Sequence, residues 1–195
     1  MIFKKHSIKS QFILSAFFIP LNFFAAYFFI QILNIPLFLD MIFVYTASCY
    51  GILCGSIVGI VYTFIFFLIY HCSSFHLLYA VCCITGTLLT RLIVTRYSDL
   101  FFFRSVLLVF VSTVIISLEG SFIYSFFLLN DPNYIDYTSI DYITYNLVSQ
   151  KINIWFSSFL ARLPVNVVDK MISVFSGFGI YFLIEKISKS LNTKK

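Results

Sequence analysis

Charged residues are scarce in this chain, and their scarcity is the first constraint on what the protein can be. Only 11% of the 195 residues are Asp, Glu, Lys or Arg, whereas 61% are hydrophobic and 21% are aromatic. Soluble domains are about 25% charged, so the composition argues against a soluble enzyme and against a nucleic-acid-binding domain. We expect a single integral membrane domain, residues 1–195, whose outer surface contacts the lipid bilayer.

The sequence also lacks the short motifs of several chemistries. It contains no HExxH and no GxSxG, and no glycine loop ending in GK[ST]. The five cysteines show no CxxC spacing, and all except Cys72 fall inside apolar runs, so we expect small buried packing residues. His71 and His76 have no carboxylate near them for a shared metal site. We therefore expect no enzyme, no cofactor and no bound metal.

Hydropathy predicts an all-α transmembrane bundle. Six helices are expected at about 11–33, 41–50, 52–70, 75–94, 105–129 and 158–187. Lys and Arg concentrate before the first helix, in a predicted charged loop at 91–104 and after the last helix, whereas the other connections are mostly acidic. By the positive-inside rule, both termini are expected to be cytoplasmic.

Gly51, Gly55 and Gly59 are spaced four residues apart and form a continuous ridge of small residues. Such a ridge lets another helix approach closely. Two interpretations remain open at this point: packing inside the bundle, or docking of a partner subunit.

One face of the last helix is polar although the rest of the chain is apolar. At 100° per residue this face carries Arg162, Asn166, Asp169, Ser173, Ser176 and Gly177, with Lys170 at its margin. Because a charge in hydrocarbon is costly, such residues usually face a bundle interior and mark a function. We interpret this face as the floor of a ligand site. The alternative is a structural ion pair at Asp169 and Lys170, with Arg162 extending to the interface.

Depth along the helices suggests a partner for Lys170. Glu119, Asp169 and Lys170 each lie about ten residues from the outer ends of their helices, or about 15 Å deep. Glu119 and Lys170 are therefore expected at a similar level, where they would either pair or hold a ligand. The 130–153 connection alternates Asp with Tyr, which is typical of an interfacial aromatic belt or of a lid over a ligand.

Two stretches resemble the substrate-binding S component of energy-coupling factor (ECF) transporters, a class of vitamin importers. They are PLFLD at 36–40, followed by a short helix and YGILCGSIVG, and LPVNVVDKMISV at 163–174. The resemblance implies a pocket open to the outside and three partners: a membrane T subunit and two cytoplasmic ATPase subunits. It also implies a location in the bacterial cytoplasmic membrane. The alanine pair that often docks the T subunit is not matched, since Pro20 stands four residues after Ala16.

We therefore expect a multi-pass subunit that captures a small water-soluble nutrient for ATP-driven uptake by its partners. The alternative is a stand-alone ion-coupled carrier or a membrane sensor. The predicted substrate-binding residues are Asp40, Glu119, Tyr137, Tyr142, Arg162, Asn166, Asp169 and Lys170.

Overall fold

The computed structural model describes residues 6–32, 37, 39–70, 74–96, 101–130 and 139–192, and all regular structure in these ranges is helical. The α-helices are α1 (Ile8–Tyr27), α2 (Ile42–Tyr50), α3 (Ile52–Tyr70), α4 (Ala80–Arg96), α5 (Phe101–Asn130), α6 (Ser139–Ser149) and α7 (Ile154–Asn192). A π-helical turn, Phe28–Ile32, follows α1, and a 3-10 helix, Ser74–Tyr79, precedes α4.

Five segments in the described ranges are long and apolar enough to cross a bilayer. They are Ile8–Tyr27, Ile52–Tyr70, His76–Arg96, Phe101–Asn130 and Ile154–Ser190. Large apolar side chains such as Ile13, Phe110 and Leu129 are exposed on their outer faces, as expected for surfaces that contact lipid. The prediction of a helical membrane bundle is therefore confirmed. The short helix predicted at 41–50 is present as α2, which has nine residues, is about 14 Å long and is not among the five candidate spans.

Aromatic contacts show which helix ends lie together. The Tyr50 ring at the end of α2 packs edge-on against His6 and Tyr181, with centroids 5.1 and 5.0 Å apart. The start of α1, the end of α2 and the C-terminal third of α7 thus share one end of the bundle, which we call the terminal end. The opposite end, where α5 leads to α6, is called the loop end.

The short helix α2 occupies the interior rather than the lipid boundary. It packs against α1, α3, α4 and α7, and every residue from Val44 to Tyr50 is buried. Its N-terminus is joined to Asn22, which lies about 21 Å along α1 from Ile8. At its other end, Arg91 Nη1 donates to the Cys49 carbonyl at 3.1 Å, a favourable place for a cation. Helix α2 therefore begins deep in the bundle and runs to the terminal end.

Glycines bring α2, α3, α4 and α7 close together. A Cβ on Gly55 would lie 2.3 Å from Ser48 Oγ, and one on Gly59 would lie 2.3 Å from the Cβ of Cys83. The ridge on α3 is thus used for packing inside the bundle. On α7, a Cβ on Gly177 would lie 2.8 Å from the Ile42 carbonyl oxygen.

Four cysteines are free and buried, which confirms their predicted packing role: Cys49, Cys54, Cys82 and Cys83. Cys72 lies outside the described residues.

Two features of the connections differ from the prediction. Part of the 130–153 connection is helical: α6 packs against α7, and its Ile140, Asp141 and Thr144 are buried. Arg104, which was expected in a charged loop, lies inside α5 and is only 2% exposed. Hydropathy alone places both stretches outside the bundle because their charged and hydroxyl side chains lower its value. It carries no information on which helices pack against them.

Candidate binding site

The polar face of α7 is its buried face. Five polar residues of this face are each at most 7% exposed: Arg162, Asn166, Asp169, Lys170 and Ser173. The apolar residues between them along the chain are 38–48% exposed: Val167, Val168, Met171 and Ile172. The 3.6-residue periodicity therefore identified the correct side of the helix.

Asp169 and Lys170 form a buried ion pair at the middle of α7. Lys170 Nζ donates directly to Asp169 Oδ2. The other carboxylate oxygen, Oδ1, accepts the backbone N–H of Leu39 at 2.8 Å. Leu39 has a left-handed backbone with φ of 42° and is 1% exposed. Both oxygens of Asp169 are thus partnered, and the pair holds the segment that leads into α2.

Asn22 fixes the same segment from the other side. Its Nδ2 donates to the Asp40 carbonyl at 2.6 Å, and its Oδ1 accepts the Phe43 N–H at 3.1 Å. The second bond satisfies one of the backbone donors that a helix leaves free in its first turn. Asp40 is half-buried beside this N-terminus, where the helix dipole favours an anion. Lys170 interacts electrostatically with both Asp40 and Tyr45.

Glu119 lies near this group but has a different hydrogen-bond partner. Its Oε1 accepts the Thr85 hydroxyl at 2.6 Å, and its Oε2 is buried without a hydrogen-bond partner in the described part of the chain. We expected Glu119 to meet Lys170. Among the ion pairs of the described residues, Lys170 pairs with Asp169 instead. Glu119 and Lys170 are nevertheless both close enough to Cys82 and Cys83 to influence these thiols electrostatically, in opposite directions. Glu119 and Lys170 are therefore neighbours, but the ion pair of Lys170 is made with Asp169.

Asn166 connects α7 to α5. Its Nδ2 donates to Ser117 Oγ at 2.8 Å, and its carbonyl accepts the Thr113 hydroxyl at 3.4 Å. Small hydroxyl residues on α5 permit this close approach, and their hydroxyls bond to protein groups in place of water.

A second charged cluster lies toward the loop end. Arg162 Nε donates to Ser158 Oγ at 3.2 Å, and the guanidinium carbon lies 4.7 Å from the centre of the Tyr124 ring. Asp141 of α6 is 3% exposed, and both it and Arg162 act electrostatically on Tyr124. Arg162 is therefore buried and does not extend outward as the alternative interpretation had it, whereas the ion pair of Asp169 and Lys170 in that interpretation is present.

The remaining predicted site residues are on or near α6. Tyr142 is 59% exposed, whereas Tyr137 lies outside the described residues. A small apolar cavity of about 150 Å³ lies beside α6, between α5 and the start of α7, and is lined by Leu128, Thr144, Tyr145, Val148 and Ile154.

Sequence reasoning missed several residues that complete the two clusters: Asn22, Tyr45, Thr85, Tyr124 and Asp141. Asn22 had a usable signal, because it is an amide inside the long apolar run of the first helix. Tyr124 and Tyr45 had none, since aromatic residues occur throughout the chain.

The fold and the site define an all-helical bundle of the multi-pass membrane type, with two charged clusters buried on one face of its longest helix. Comparisons with protein-family models, with curated proteins and with solved structures found no match to this chain.

Proposed function

We propose that this protein is the substrate-binding subunit of an ECF-type importer and that it captures a small water-soluble nutrient for uptake. The observation that carries the proposal is the buried polar face of α7, which holds charged and amide groups at the depth of the α2 N-terminus. Ionisable residues at membrane depth are costly, and in membrane proteins they commonly mark substrate or ion pathways.

The short helix α2 supports a binding role. Many membrane transporters place the ends of interrupted helices at the substrate, because the free backbone groups and the helix dipole supply polar contacts inside the bilayer. In this protein the N-terminus of α2 meets Asp40, and Asp169 holds the segment just before it. A bundle held together only by apolar packing would need neither a carboxylate at this helix N-terminus nor the bond from Leu39 to Asp169.

We assign different roles to the predicted residues. Asn166, Glu119 and Arg162 are proposed to contact the nutrient. Asn166 and Arg162 lie between α5 and α7, and Glu119 lies between α4 and α5 with one carboxylate oxygen unpartnered in the described part of the chain. Asp169 and Lys170 are proposed to position α2, because their charged atoms are already occupied by each other and by Leu39. In this assignment Asp40 faces the ligand from the start of α2.

The transport step is proposed to depend on other polypeptides. This sequence contains no phosphate-binding glycine loop, so ATP hydrolysis would be supplied by two ATPase subunits coupled through a membrane T subunit. The terminal end of the bundle would then face the cytoplasm and the loop end the outside of a bacterial cytoplasmic membrane.

The test is to isolate the tagged protein from its own cells in mild detergent and to weigh the complex by native mass spectrometry. We expect the chain together with one further membrane protein and two ATPase chains. A bare chain that alone accumulates a solute in liposomes under an ion gradient would refute the proposal and establish the stand-alone carrier.

A further inference from the structure

The group around Asp169 carries more negative than positive charge. Asp40, Asp169 and Glu119 contribute three carboxylates, whereas Lys170 contributes one ammonium. Asp40, Glu119 and Lys170 all act on the thiol of Cys83, which places them in one electrostatic neighbourhood. An excess of buried negative charge is unfavourable unless a cation or protons balance it.

The nearest other charges do not remove this excess. Arg162 lies one helical turn or more toward the loop end, where its charge is matched by Asp141 across Tyr124. Arg162 and Asp141 therefore form a separate pair whose formal charges cancel. The region around Cys83 keeps two negative charges in excess among the described residues.

Glu119 is the least compensated of the three carboxylates. Asp169 has an ion-pair partner and a backbone donor, and Asp40 has the N-terminus of α2 and the nearby ammonium of Lys170. Glu119 has one neutral hydroxyl, that of Thr85, and its second oxygen is buried without a partner.

Two buried hydroxyls without partners also lie close to Lys170. Ser173 is 0% exposed, lies one turn from Lys170 on the same face of α7, and its Oγ has no hydrogen-bond partner in the described ranges. The Tyr45 hydroxyl, equally buried, lies beside Ser112 and Lys170 and has no partner with hydrogen-bond geometry. Such unpartnered groups in a buried polar region are suited to a ligand that supplies the missing bonds.

We propose that the interior site selects a ligand with a positive charge and that Glu119 is the carboxylate that pairs with it. The inference rests on the proposed binding function and narrows the nutrient to small cations, such as a cationic heterocycle. Tyr45 and Tyr62, both buried near the carboxylates, add ring faces on which a flat cation is stabilised.

The experiment compares two isosteric substitutions in the full-length protein in lipid nanodiscs. Glu119→Gln removes one excess charge and keeps an acceptor for Thr85, whereas Asp169→Asn breaks the paired carboxylate. Without ligand, we expect Glu119→Gln to leave the melting temperature unchanged or to raise it by about 2–4 °C. The matched Asp169→Asn variant should melt at a lower temperature than the wild type.

The same proteins are then melted with three probes of similar shape: the 1-methylnicotinamide cation, neutral nicotinamide and anionic nicotinate. We expect only the cation to raise the melting temperature of the wild type, and no cation effect in Glu119→Gln. The melting temperatures in sodium and in potassium are also compared at constant ionic strength. A difference between them would show that an inorganic cation occupies the site instead of an organic one.

The proposal is overturned if no cation, organic or inorganic, stabilises the wild type more than the neutral probe does. It is equally overturned if Glu119→Gln lowers the melting temperature as much as Asp169→Asn. Either result leaves the proposed importer role standing with a neutral or anionic nutrient. Conversely, absence of the ATPase partners would refute the importer role without affecting cation selection.

Discussion

The two charged clusters on α7 are built in different ways. At Asp169 and Lys170, both carboxylate oxygens are bonded, and one partner is the backbone of Leu39, 130 residues away in the chain. At Arg162, the contacts are one serine hydroxyl, the face of Tyr124 and the charge of Asp141 on a separate short helix. The first cluster joins the start of α2 to α7, whereas the second lies beneath α6 at the loop end.

This difference indicates separate roles along one helix face. A cluster that bonds to a distant backbone segment contributes to the fold, and its loss should be measured mainly as lost stability. In the described part of the chain, Arg162 contacts the side chains of Ser158 and Tyr124, and under the proposed function it also contacts the ligand. The predictions below use the contrast between fold-holding residues and residues proposed to contact the ligand. They run from the largest expected effect to the smallest, with two of similar size in between.

The largest effect is expected for Lys170→Met. Removing the ammonium leaves Asp169 buried without its counter-charge, which typically costs about 3–5 kcal/mol. The measurement is the free energy of unfolding in mixed detergent micelles. The double variant Asp169→Leu with Lys170→Met removes both charges and should recover much of the loss. A cost under about 1 kcal/mol for Lys170→Met would show that the pair does not hold the fold.

A loss of about 1–3 kcal/mol is expected for Gly177→Ala. The added methyl group would meet the Ile42 carbonyl oxygen at 2.8 Å and the Tyr45 Cβ at 2.9 Å, so α2 and α7 must separate. Gly179→Ala is the matched control, because nothing lies within 4 Å of its added Cβ. Equal stability of the two variants in a thermal melt would contradict the close approach of α2 to α7.

Asn22→Leu tests the attachment of α2 to α1. The substitution removes the partners of the Asp40 carbonyl and the Phe43 N–H, and an unsatisfied buried polar group costs about 1–3 kcal/mol. Increased protease cleavage before α2 should accompany the lower stability. Asn146→Ala, at an exposed position on α6, serves as the control and should change stability by no more than about 0.5 kcal/mol.

The smallest effect on stability is expected at the loop-end cluster. Arg162→Lys keeps the charge but loses the planar group over Tyr124 and the bond to Ser158, a change of about 0.5–1 kcal/mol. If Arg162 contacts the nutrient, its affinity should fall more than the stability does. A large loss of stability with unchanged nutrient binding would assign this cluster to the fold as well.

The sequence predicted the features that depend on periodicity and hydropathy. The buried face of α7 and the break at Gly51 follow from local patterns, because helical spacing determines which residues share a face. The buried position of Asp169 follows from the same helical spacing. These inferences needed no knowledge of which helices are neighbours.

The contacts that complete the site could not be predicted in the same way. The bond from Leu39 to Asp169 depends on a left-handed residue before α2, and the partner of Glu119 depends on how α4 and α5 are rotated. Hydropathy does not determine rotation about a helix axis. The prediction missed helix α6 because Asp141 and Thr144 are polar residues of a type common in loops. In the fold both are buried, since α6 packs against α7.

The most direct test of the binding role is a native mass spectrum of the protein purified from its own cells in mild detergent. We predict a reproducible small bound mass on the wild type and on Gly179→Ala. Asn166→Leu, which loses the buried amide between α5 and α7, should remain folded and carry little or none of that mass. A wild-type protein without any bound mass, or equal occupancy in Asn166→Leu, would contradict a ligand site on the buried face of α7.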